Sequence, residues 1–131
     1  MNKIFYDKNF EIYKKTDIYV IKILKGKIKK NSVIKYHNKL IGIYDEYENN
    51  NKKFSLIFNL LEAKINIVSF AAKEFKFFNK LTPRTDKSVN SIVVICKKFL
   101  CNVIKILIPK KRKVPYAVCE NMELAMKFTI T

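Results

Sequence analysis

Between residues 9 and 25 apolar and polar positions alternate along NFEIYKKTDIYVIKILK, and the alternation predicts a β-hairpin. Phe10 and Ile12 share one face, Thr16 and Asp17 supply the turn, and β-branched residues resume after it. In the returning strand Tyr19, Ile21 and Ile23 point one way, and Ile18, Val20 and Leu24 the other. Apolar content on both sides predicts a central strand covered twice, ended by Gly26. From residue 31 to about 50 the period lengthens. Val33, Tyr36, Leu40, Ile43 with Tyr44, and Tyr47 recur at three and four, so this is a helix that Asn31 or Ser32 can cap. The polar run ENNNKK stops it, and FSLIFNL (54–60) follows as a buried strand.

The next helix is expected to open at Ser69, as its cap, and to run to about residue 80. Lys73, Lys76 and Lys80 form its wet stripe, while Phe70, Ala71, Phe75, Phe77 and Phe78 turn inward. LTPRTDKSV (81–89) reads as a loop and SIVVIC (91–96) as a parallel-type strand. Residues 97–108 predict a third helix with a narrow polar stripe of Lys98, Asn102 and Lys105, stopped by Pro109. VPYAVC (114–119) is the last strand, and Asn121 caps a final helix, MELAMKF, with Glu123 near its positive end.

The predicted order is β-β-α-β-α-β-α-β-α. It implies an α/β protein with a single mixed, mostly parallel five-stranded sheet, about four helices, and a hairpin at one antiparallel edge. At 131 residues the chain has room for one core, so residues 1–131 are expected to form one domain. An apolar fraction of 49% with 13% aromatic residues is ample for folding.

Charge widens the picture. The net charge of +16 points to nucleic acid, an acidic protein or an anionic surface as partner. A compositional cause competes with that: 25 Lys against 2 Arg, with 18 Ile and 13 Asn, is what an A/T-rich genome supplies. Proteins built to grip phosphate favour the planar fork of Arg. Cys96, Cys101 and Cys119 are odd in number and sit among apolar residues, which predicts free thiols in a reducing compartment. With neither a secretory leader nor an apolar run of membrane-spanning length, a cytoplasmic location is expected, or a nuclear one in a eukaryotic or nuclear-virus source.

Candidate chemistry is sparse. The one histidine, His37, borders the apolar stripe of its helix, with no predicted Cys or Ser beside it. Cys96 and Cys101 lack zinc-ligand spacing, and Gly26 and Gly42 cannot form a phosphate-cradling loop. Asp45, Glu46 and Glu48 read as a solvated face. No catalysis, no metal and no cofactor are expected. What stands out is Lys97, Lys98, Lys105, Lys110, Lys111, Arg112 and Lys113, with no acid among them. Its segment PKKRKV (109–114) resembles the nuclear-import signal of a polyomavirus large T antigen. An import address, a phosphate-contacting patch for nucleic acid and a solvated loop all fit it.

The strand–helix order, with FEIYKKTDIYVIKILKGKI, FSLIFNL and VPYAVCENMELAMKF as its pieces, resembles the STAS superfamily of anti-sigma-factor antagonists, and its small bacterial branch that overlaps in fold with CRAL-TRIO domains. Pro115, Ala125 and Phe128 match that family's closing pattern of a proline, a short strand, and a helix with Ala before an aromatic. The resemblance implies a non-enzymatic protein-interaction module, regulatory or scaffolding, that docks another protein through the loop and helix after FSLIFNL. Asn59, Glu62, Lys64 and Ser69 are the docking residues so implied. Asn59 and Ser69 occupy the positions of the family's strand-end Asp or Asn and its phosphorylated serine, although Phe70 replaces the usual glycine. A homodimer is compatible with this reading. The alternatives are a basic nucleic-acid binder acting through phosphates and a small lipid-binding domain with a pocket under the third helix.

Overall fold

The computed structural model describes residues 1–64, 67–108 and 113–130. Six strands form one mixed sheet in sequential order: β1 (Asn2–Tyr6), β2 (Phe10–Lys15), β3 (Ile18–Ile23), β4 (Phe54–Asn59), β5 (Val89–Ile95) and β6 (Tyr116–Cys119). The first three pair antiparallel, and β3 through β6 pair parallel. Among the described residues there are five helices, α1 (Lys30–Asn49), α2 (Ile67–Lys80), α3 (Thr82–Ser88), α4 (Lys98–Leu107) and α5 (Met122–Ile130). None of them is long and apolar enough to cross a membrane.

The alternation of β3 is the reason the sheet is covered on both sides. Tyr19, Ile21 and Ile23 join the larger core, under the tyrosine stripe of α1, Ala71 and Phe78 of α2, and Ile104 of α4. Val20 joins the smaller core, where Ala125 of α5 meets Ile57, Val93 and Ile95. That second face is only half covered by a helix. Over β1, β2 and β3 it carries charge pairs instead: Lys3 Nζ lies 2.8 Å from Glu11 Oε2, and Lys22 Nζ lies 2.8 Å from Glu62 Oε2.

Two elements depart from the sequence expectation. The sheet has six strands rather than five because Asn2–Tyr6 adds an antiparallel edge to β2, with a bulge between Lys3 and Phe5. Only Ile4 and Phe5 of that strand pack on the core, so its apolar signal is short. The bulge and Lys3 also blunt an edge that would otherwise invite pairing.

The segment expected as a loop contains α3. Pro83 is tolerated in its first turn, where no intrahelical partner is needed. Thr85 Oγ1 shares a buried 2.8 Å hydrogen bond with Tyr44 Oη. Arg84 reaches α1, with Nε 2.6 Å from Glu48 Oε1 and Nη2 2.5 Å from Asp45 Oδ1. Asp45, Glu46 and Glu48 are exposed, the solvated face expected, and Arg84 additionally pairs with two of them, Asp45 and Glu48. Arg84→Ala is expected to lower stability by about 1 kcal/mol, more than a single exposed pair because the fork is bidentate. Urea unfolding would measure it. A midpoint equal to wild type would mean that Tyr44 and Thr85 hold α3 without the ion pairs.

Candidate functional site

The parallel strands end at one edge of the sheet, where ligands of α/β folds usually bind. There the β3–α1 connection and the start of α2 enclose a cleft of about 490 Å³ lined by Lys27, Ile28, Lys30, Val33, Ser69, Phe70 and Lys73. Asn9 shapes it. Its side chain is buried, donates through Nδ2 to the Lys27 carbonyl at 3.0 Å and accepts from the Lys29 amide at 2.9 Å. Gly26, at φ +121°, supplies the backbone turn that an L side chain would strain. The connection is thereby held against the amino end of α1.

The electrostatics of the cleft are one-sided. Lys27, Lys30 and Lys73 are exposed, and among the described residues no carboxylate lines the space. Lys29 and Lys30 stand at the positive end of α1, which has no acidic residue in its first turn and no side-chain cap. Cations there oppose the helix dipole. The first turn of α2 also lacks an acid. Asp7 answers part of that charge, its carboxyl held below the ordinary carboxylate range first by the Ser32 side chain, and an incoming carboxylate or phosphate would pair with the lysines of the cleft.

The residues implied by the family resemblance lie around this edge without forming one cluster. Ser69 is exposed on the cleft wall, in the first turn of α2 rather than at its cap, because the helix begins at Ile67. Asn59 ends β4, and its Oδ1 accepts the Leu61 amide at 3.1 Å, a turn-forming role. Glu62 is drawn toward Lys22, whose side chain alternates away from the large core onto the face of α5. Lys64 is exposed. Of the basic set, Lys97, Lys98, Lys105 and Lys113 are exposed, while Lys110, Lys111 and Arg112 lie outside the described residues.

His37 has partners that its sequence neighbours did not announce. Its Nε2 is 2.7 Å from Glu74 Oε1, and its ring stacks on Phe77 with centroids 3.7 Å apart. The other oxygen of the buried Glu74 accepts the Tyr36 hydroxyl at 2.7 Å. Burial, and then the Glu74 carboxylate, push the Tyr36 phenol well above its ordinary range. The triad is a bolt between α1 and α2.

Of the three thiols only one is similarly embedded, Cys101 and Cys119 being half-buried. Cys96 is buried 3.5 Å from Cys101, and burial first, then that neighbour, push its thiol up to about 12. Among the described residues, no group of three or more His, Cys, Asp or Glu side chains is arranged to hold a metal ion.

Two further spaces bear on binding. Beneath α2 and α4, Phe58, Phe70, Phe75, Phe78 and Ile104 enclose about 30 Å³, room for a water-sized molecule. At the opposite edge of the sheet an open cleft of about 510 Å³ is lined by Glu48 and Arg84, which already pair with each other.

No family model matches the chain, and no similar curated protein or solved structure was found.

Proposed function

We propose that this chain is a non-enzymatic interaction module of STAS-like fold that docks an acidic segment of another protein. The observation that carries this reading is the cleft of Lys27, Lys30, Lys73 and Ser69 at the carboxyl edge of the parallel strands. The run β3–α1–β4–α2–α3–β5–α4–β6–α5 keeps the strand–helix alternation expected of that superfamily apart from the added α3, and Ser69 stands beside the cleft on α2.

The lining is mixed. Ile28, Val33 and Phe70 bring apolar surface among the lysines, which suits a peptide with alternating acidic and apolar side chains better than a bare phosphodiester chain. A binding role rather than a chemical one is supported by the lining of the cleft, which includes neither the His37–Glu74 pair nor Cys96. Lipid binding in a pocket under α4 has little support, since the space there is about 30 Å³ against the roughly 300 Å³ at which ligand pockets begin.

The test is to crosslink the protein in its native source, identify what is bound at the cleft, and measure its affinity for the wild type and for Lys30→Glu/Lys73→Glu. Both lysines are exposed, so the variant should keep its unfolding midpoint and lose at least about tenfold in affinity. An identified protein that binds both forms equally would sink the reading. Crosslinks to RNA or DNA, with a salt-sensitive mobility shift on any duplex, would favour the nucleic-acid alternative.

A further inference from the structure

Helix α4 was expected to expose a narrow stripe of Lys98, Asn102 and Lys105, yet its wet face is about twice as wide. Only Ile104 is fully buried, with Leu100 and Leu107 half-buried beside it, where the helix rests on α2 and β6. Next to the polar stripe runs an apolar one at spacings of four and three. Phe99 is 74% exposed, Val103 37% and Ile106 79%. Burial in this fold does not account for those three side chains. A ring and two branched side chains left in water on one short helix form a contiguous apolar patch of the size that is often functional.

We propose that this face of α4 rests on an anionic lipid surface, with Phe99, Val103 and Ile106 entering the headgroup–acyl boundary and Lys98 and Lys105 meeting the lipid phosphates. Charge complementarity selects that occupant. Lys97, Lys98 and Lys105 are exposed along the helix, α4 carries no acidic residue, and none occurs in the sequence from Lys97 to Lys113. A basic amphipathic helix lying in the interface plane has this composition, aromatic and aliphatic residues beside lysines.

Size argues against the other occupants. The three side chains leave on the order of 300 Å² of apolar surface in water, below the roughly 450 Å² that is the apolar share of one side of a standard protein interface. A second copy meeting this one through α4 would also bring like charges together, lysine against lysine, between chains of +16 each. A fluid surface needs no complementary groove, and a convex helix offers none. The site is separate from the lysine cleft and does not depend on the docking role proposed for it.

The chain has no tryptophan, so Phe99→Trp introduces a single reporter at an outward position. Its emission is expected to shift to the blue on adding phosphatidylcholine vesicles that contain phosphatidylglycerol, and to stay unchanged with phosphatidylcholine alone. In co-sedimentation, the otherwise wild-type Phe99→Ser/Ile106→Ser protein should bind the anionic vesicles about tenfold more weakly. Lys98→Glu/Lys105→Glu should do likewise, whereas the cleft variant Lys30→Glu/Lys73→Glu should bind as wild type. The proposal is overturned if the reporter does not shift, if the serine variant sediments like wild type, or if these serines instead abolish a dimer seen by analytical ultracentrifugation.

Discussion

Glu74→Ala is expected to lower the unfolding free energy by about 3 kcal/mol, although the side chain removed is charged and the residue left behind is a better helix former. The cost comes from what loses its partner. Tyr36 is fully buried, and its hydroxyl donates 2.7 Å to Glu74 Oε2. With alanine at 74, that hydroxyl stays out of reach of water. His37 suffers less, because its side chain is 19% exposed and its nitrogen can turn to solvent.

Two further variants separate the contributions. Glu74→Gln keeps an oxygen for Tyr36 and should cost about 1 kcal/mol. In a Tyr36→Phe background, where no hydroxyl remains to be orphaned, Glu74→Ala should cost about 1–2 kcal/mol less than in the wild type. Urea denaturation of the four proteins of that cycle gives the coupling directly. If Glu74→Ala costs the same in both backgrounds, the Tyr36 hydrogen bond is not what makes this carboxylate worth burying.

Glu74 also shows where sequence patterns stop. The apolar face of α2 was legible from its phenylalanines, but a carboxylate among them looks like surface until Tyr36, 38 residues earlier, is placed beside it. The tyrosine stripe of α1 and the largely apolar β4 and β5 were legible because the signal of each lies within one element. β1 and α3 were not. One is a half-polar edge strand, and the other is seven residues of turn-forming composition whose helix is secured by Tyr44, Asp45 and Glu48 of another element.

The cleft lay between these cases. Lys73 meets Lys27 and Lys30 only through the fold. The run KIKK directly before a helix without an acid in its first turn was a readable signal, since it opposes the dipole preference. On α4 the error was one of geometry. Apolar residues occupy most of its circumference, and a helix against a single sheet face cannot bury so wide an arc, so Phe99 and Ile106 had to emerge.

A larger loss of stability is expected at the other end of the parallel strands. Phe54 opens β4 with no exposed surface, its ring 4.8 Å from that of Tyr47, 5.3 Å from Tyr44 and 5.7 Å from Tyr19. Two of those neighbours belong to α1 and one to β3, so the ring is where the longest helix is keyed to the sheet. Phe54→Ala should cost about 4 kcal/mol, from lost burial, lost edge-to-face contacts and a cavity that strands and helix can only partly close. Phe54→Leu keeps most of the volume and should cost about 1.5 kcal/mol.

Both values are read from the shift in urea midpoint at constant slope. An alanine variant within about 1 kcal/mol of wild type would mean that the tyrosines can close over the gap, and that α1 is held chiefly by contacts further along its length. The cluster also discriminates scaffold from site. Phe54 lies at the amino end of β4, and the lysine cleft lies beyond the carboxyl ends of the strands. A folded Phe54→Leu protein should therefore bind its partner as wild type does, while Lys30→Glu/Lys73→Glu loses the partner and keeps its stability.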